Sequence, residues 1–325
     1  TDNYLVVDID IDMLNILGEV INVHFSNLDT NFISQFQMPN SDFEEWDNST
    51  NEPRYWHGFE SATSTSSVLL SNAKKVTFAK STETRNGNGK CALIQSKLIM
   101  GVTANGTMTN GRLSANSATA ANTWNHSEMD ISSTATDNYG DKFYMSVYKR
   151  PDAINTWIKF DATNKNDKAT LSAVIFNGEY YQDPEPKPGE RSGLIGTGTE
   201  YTKVDSADVA SRVVAKAQNK QIPVSYDWTL LNVPFDYSNY TQNNATANAI
   251  LVTMSTNATP GSGTAGDKLY IDDMELLYYA NVKDIKFKGS SIEGFDPTVK
   301  TYLYGEYDGI PVISDFDVTV EGIDD

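Results

Sequence analysis

Five side chains combine flat or apolar surface with hydrogen-bonding groups: Trp46, Trp56, His57, Arg150 and Trp157. Sugar rings present C–H faces that stack on aromatic rings, and their hydroxyls need amide, carboxylate or guanidinium partners. Trp56-His57 follows Pro53 in a stretch without strand alternation, which favours exposure. Arg150 stands before Pro151 at the end of a strand-like run, and its planar fork suits a diol or a carboxylate. Trp157 lies opposite Ile158 and Phe160 in parity, so one of the two sets must leave the core. Each Trp taken singly reads as readily as a core residue.

Carboxylates form the second group. Leu269 and Ile271 share one parity, whereas Met274 and Leu276 take the other. This phase flip at Asp272-Asp273 predicts a β-bulge, and adjacent carboxylates at a bulge suit a hard cation. Asp273 and Glu275, and the neighbouring Glu44 and Glu45, are the pairs a glycosidase would need across a scissile bond. Signatures of other chemistries are missing. With His24, His57 and His126 as the only histidines there is no HExxH, and neither a Gly-x-Ser-x-Gly elbow nor a phosphate loop occurs.

The elements that must position these groups are strands. Period-two alternation is clear in Phe143–Val147, Leu171–Ile175, Leu231–Phe235 and Ile250–Met254. One apolar face per strand predicts antiparallel sheets packed on a shared core, an all-β sandwich. Helical periodicity is nearly absent. Residues 205–216 can be tried as a helix, but Val209, Val213, Ala215 and Ala217 alternate as well as a strand. Residues 1–37 read as a hairpin segment with strands Tyr4–Ile11 and Val20–Phe25, residues 38–280 as the large sandwich, and 281–325 as three short strand-like runs. Ser61–Ser67 and the proline-rich Tyr181–Gly198 read as long loops, the second placed to wall a binding site.

Composition narrows the function classes. A net charge of −18 disfavours nucleic acid and anionic membrane surfaces and is silent about neutral ligands. The single cysteine, Cys91, excludes an internal disulfide framework and reads as a small buried hydrophobe. No membrane-spanning run is present.

Six motifs in order carry a family resemblance: Asn40–Asp47 (Asn-Ser-Asp-Phe-Glu-Glu-Trp-Asp), Pro53–Gly58, Gly89–Leu93, Phe143–Phe160 with Lys149-Arg150-Pro151, Trp228–Phe235 and Leu269–Leu276. Together they resemble the carbohydrate metabolism domain (PCMD) of Bacteroidetes surface and secreted proteins, over roughly residues 38–280. Residues 1–27 resemble the last strands of a calycin-like barrel domain. The tail with Gly294-Phe-Asp-Pro297 resembles the start of an immunoglobulin- or cadherin-like module.

The resemblance implies a jelly roll on an exported protein, extracellular, at the cell surface or periplasmic, with a lipoprotein precursor. Polysaccharide or oligosaccharide would be its ligand, and other proteins of a glycan-uptake system its partners. By analogy with jelly-roll binding modules, a structural calcium would sit between Glu44 and Asp273. Non-catalytic glycan binding is the leading expectation. A glycoside hydrolase of unusual jelly-roll type and a structural or adhesive surface module are the alternatives.

Overall fold

The computed structural model describes residues 10–15, 20–24, 37–48, 50–147, 149–187, 206–245, 248–278, 281–296, 303–307 and 312–321. Two compact units divide the chain: residues 37–277 form one, and residues 1–36 with 278–325 form the other. The hairpin segment and the tail thus belong to one body.

In that smaller unit β1 (Asp10–Asn15) and β2 (Val20–His24) pair antiparallel. A lone hairpin is marginal in water. Here a third strand from the tail, Leu303–Tyr307, pairs parallel with β1. The strands Asn281–Phe287, Ser290–Ser291 and Phe316–Glu321 make a second three-stranded sheet, with Phe287 packed on Phe316 at 5.0 Å. Residues 4–9 and Phe25, which the sequence reading placed in strands, lie outside the described residues.

The described residues of the larger unit hold fourteen strands: β3 (Thr77–Ser81), β4 (Cys91–Gln95), β5 (Lys97–Ile99), β6 (Val102–Ala104), β7 (Thr107–Thr109), β8 (Arg112–Ala115), β9 (Asn125–Asp130), β10 (Ala153–Asp161), β11 (Lys168–Phe176), β12 (Tyr180–Asp183), β13 (Val213–Pro223), β14 (Ser225–Pro234), β15 (Ala249–Ser255) and β16 (Lys268–Leu277). They build a five-stranded sheet in the order β14-β10-β16-β4-β3 and a four-stranded sheet in the order β13-β11-β15-β7. The connections β10 to β11, β13 to β14 and β15 to β16 each carry the chain from one sheet to the other. All the pairings within both sheets are antiparallel. The expected all-β antiparallel sandwich of jelly-roll kind is the fold.

Alternation decides what fills it. Ile154, Ile158 and Phe160 of β10 point inward with Leu269 and Ile271 of β16, and Leu171, Ala173 and Ile175 of β11 are fully buried. Between Asn155 and Trp157 of β10 the register with β16 slips, so that Asp273 and Met274 stand against Thr156 alone. Asp273 takes a left-handed φ of 43°, and Met274 and Leu276 return to the interior. The bulge at Asp272-Asp273 therefore lies where the parity flip placed it.

Helix is sparse. α1 (Ser67–Ala73) starts at Ser66, whose Oγ accepts the Leu69 amide at 3.3 Å, so the stretch read as a loop ends in a helical cap. α2 (Ser206–Ser211) precedes β13, so the described residues 206–216 begin as helix and finish as strand. Phe143, Met145 and Val147 are buried in alternation as read, but they form an irregular extended segment rather than a strand. It is tied to β15 by the bond from Ile250 N to Met145 O.

Candidate functional site

A groove of about 680 Å³ lies over the outward face of the four-stranded sheet, within the range of small-ligand sites. Its floor follows from strand parity. Because Leu171, Ala173 and Ile175 face the core, Thr170 and Ser172 must face out. Ser172 stands opposite Thr253, Thr170 opposite Ser255, and Ser255 opposite Thr107. Side chains opposite one another on a sheet are about 5 Å apart, so these five hydroxyls form a regular polar lattice. Each hydroxyl offers one donor and two acceptor positions. Neighbours hold several in place: Gln218 Nε2 donates to Ser172 Oγ at 2.8 Å, Thr253 Oγ1 meets Ser127 Oγ at 2.5 Å, and Ser255 Oγ accepts from the Asn257 amide at 3.4 Å.

The walls come from three directions. The β5–β6 hairpin supplies Ile99, Met100 and Val102, α1 supplies Leu69, and the segment between β8 and β9 supplies Ala118, Ala120 and Ala121. Asp183, Pro184, Glu185 and Lys187 close another side, Pro184 following a cis peptide bond. The proline-rich segment thus walls a pocket as its sequence suggested, while residues 188–198 lie outside the described residues. Lys216 Nζ and Tyr181 Oη donate to Glu185 Oε1 at 2.6 and 2.9 Å and fix that wall. The carboxylates of Asp183 and Glu185 are balanced by the ammonium groups of Lys187 and Lys220, so the lining is close to neutral in a chain of net charge −18.

A buried polar network supports the wall at β9. His126, which lines the groove, has Nδ1 2.9 Å from the Thr123 carbonyl and Nε2 3.2 Å from Glu128 Oε2. Glu128 also accepts from Tyr180 Oη at 3.0 Å and Ser114 Oγ at 3.2 Å. Both ring nitrogens of His126 thus lie within hydrogen-bond distance of oxygens that hold the ring in place. Burial, reinforced by the Glu128 charge, pushes the Tyr180 phenol well above its ordinary range, keeping it a neutral donor to that carboxylate.

The five residues singled out from sequence are not among the groove's lining residues, and they are scattered. Trp56 and His57 are completely buried, against the expectation of exposure. Trp56 tilts against Phe43 at 5.3 Å and donates from Nε1 to Pro39 O at 3.2 Å. His57 pairs through its backbone with Thr109 and packs edge-on to Phe143 at 4.5 Å, and burial drives its imidazole down to about 3, keeping it neutral. Half-buried Trp46 caps Phe78 at 6.1 Å and donates to Phe43 O. Arg150 stacks on Tyr237 at 4.2 Å.

Trp157 does leave the core. It lies half-buried on the outer side of the five-stranded sheet, with the Arg85 guanidinium 4.5 Å from its ring centroid. Arg85 also donates to Asp273 Oδ2 at 2.7 Å. Glu44 faces Lys90, which donates its backbone amide to Oε1 at 2.8 Å and holds its Nζ 3.6 Å from Oε2. Gly89 has a φ of +81°, and a Cβ there would collide with the Glu44 carboxylate. Each carboxylate nominated for calcium is thus neutralised by a basic side chain. Among the described residues no group of three His, Cys, Asp or Glu side chains is clustered around Glu44 and Asp273.

The groove was missed because its residues are Ser, Thr and Ala on outward parity, a pattern shared with any solvated sheet face. The signal that could have found it was the pairing of that face with the proline-rich segment.

No family model and no curated protein matches the chain, so the PCMD resemblance remains one of motif order. Among solved structures, the chain is similar to a provisionally described glycoside hydrolase from Bacteroides vulgatus, at 18% identity over 62% of this chain and 76% of that one, with a TM-score of 0.37. A second, from Bacteroides thetaiotaomicron, is 14% identical over 64% of this chain and 58% of that one, at 0.38. A provisionally described sugar-binding protein from Bacteroides thetaiotaomicron is 12% identical over 62% of this chain and 81% of that one, at 0.26.

Proposed function

We propose that the larger unit binds a neutral glycan, without transforming it, in the groove over the four-stranded sheet. The observation that carries this reading is the lattice of Thr107, Thr170, Ser172, Thr253 and Ser255 on the floor of a charge-balanced groove. A polyol needs donors and acceptors in alternation, which hydroxyls supply and carboxylates do not. An acidic surface disfavours polyanions, and balanced lining charge favours an uncharged ligand. Glu128, the buried carboxylate behind the groove, has its oxygens engaged by Tyr180, Ser114 and His126 and acts as a wall support. In this reading the protein is exported and serves polysaccharide capture beside other surface proteins of an uptake system.

Affinity electrophoresis of the full chain through gels cast with neutral polysaccharides tests the proposal. Retardation by at least one of them, abolished in Thr170→Trp, which fills the groove from its floor, is the expected result. Equal mobility in all gels contradicts it. Release of reducing sugar that is lost in Glu185→Gln would replace binding with hydrolysis.

A further inference from the structure

We infer that the glycan taken by this groove carries small acyl or methyl substituents, O-acetyl groups foremost. This rests on the glycan reading above and narrows its ligand class. Indole and phenol rings, the usual apolar partners of bare sugar C–H faces, are missing from the described lining residues, whose one benzenoid ring is Phe59. The apolar surface is aliphatic instead: Ile99, Met100 and Val102 on one side, Ala118, Ala120 and Ala121 on another. Alanine methyls and a thioether present small convex and adaptable surfaces that suit methyl groups better than flat ring faces.

The hairpin that carries this rim is held out in solvent. Met100 and Gly101 at its turn have φ of 50° and 81°, the left-handed pair of a tight two-residue hairpin. Met100 is 77% exposed and Val102 38%. A run of exposed large apolar side chains at the mouth of a groove marks a contact surface for an apolar partner. Charge selects among partners, because the balanced lining offers nothing to a polyanion or a basic peptide.

An O-acetyl group fits both halves of the site. It replaces a hydroxyl donor by a carbonyl acceptor and a methyl group. The hydroxyls of Thr170, Ser172 and Ser255 on the floor can donate to the carbonyl, while the aliphatic walls take the methyl. A methyl ether uses the walls in the same way and gives the floor only an ether oxygen.

The test compares retention of the full chain by acetylated glucomannan and acetylated xylan with the same polymers after alkaline deacetylation, and by methylcellulose as the ether source. Burying one methyl improves affinity roughly fourfold. The acetylated forms should therefore bind at least that much more tightly than their deacetylated counterparts. Met100→Ser/Val102→Ser, two exposed hairpin changes, should erase the difference, and Leu230→Ser on the outer face of the other sheet should leave it unchanged. Preference for methylcellulose over the acetylated polymers would assign the methyl source as ether and still support the class. Equal binding of acetylated and deacetylated polymers overturns this inference and leaves the glycan reading standing. Binding of neither overturns both, as does self-association of the chain that disappears in Met100→Ser/Val102→Ser.

Discussion

Asp272 should contribute stability in mild acid that is lost towards neutral pH. Its carboxyl is buried beside the bulge, and burial, then the charges of Asp273 and Glu44, raise it from the usual 3.8 to about 6. Because the folded state holds this proton more tightly than the unfolded chain, the contribution is fully present below 3.8 and lost as pH rises through about 6. At about 1.36 kcal/mol per pH unit the loss is capped near ~3 kcal/mol, and about half of it falls between pH 5 and 7.5. For a unit of this size that is a fall in Tm of roughly 3–6 °C. Asp267, fully buried and hydrogen-bonded to Asp167, is raised too and acts in the same direction. Relief of general repulsion in an acidic chain does likewise, so the variant is essential. Asp272→Asn keeps an acceptor for the Asp273 amide, 3.0 Å away, and removes the charge. Scanning calorimetry at pH 5 and 7.5 should show the variant more stable than wild type at pH 7.5, with a smaller pH dependence. A wild-type Tm that is flat or rises over this interval, or an unchanged slope in the variant, refutes the reasoning.

Other outcomes follow from the same packing. Millimolar calcium or a chelator should leave the Tm unchanged, because Glu44 and Asp273 are paired with Lys90 and Arg85; a stabilisation abolished by Glu44→Gln would show otherwise. Trp56→Ala should cost about 3–5 kcal/mol in denaturant unfolding without weakening glycan retention by the folded fraction, since this indole is core. Burial pushes the Cys91 thiol up to about 12, so a thiol reagent at pH 8 should label it only as fast as the protein opens, and at full speed in denaturant.

Strand parity made the sandwich legible. The alternation of Leu171, Ala173 and Ile175 corresponds to a real inner face, and the flip between Ile271 and Met274 located the bulge to the residue. Periodicity is silent about segments that pack without it. Trp56-His57 lies off any strand ladder, yet Phe43, Phe143 and the Pro39 carbonyl enclose it, contacts set by tertiary folding that no local pattern records. The groove was hidden for a different reason. Thr170 and Ser172 look like any solvated face until a hairpin, a helix and the proline-rich wall rise around them. Pairing of β1 with Leu303–Tyr307 joins residues some 290 positions apart, a contact that no local pattern records.

Locating a retained oligosaccharide on the protein tests the central claim most directly. With methyl-labelled alanine and methionine, resonances of Met100, Ala104, Ala115, Ala118 and Ala120 around the groove should shift on titration, and together. Ala79, on the edge strand of the other sheet, should stay fixed. Shifts confined to Ala79 and to the indole signal of Trp157, with the groove methyls unmoved, would place the ligand on the opposite face and contradict the account.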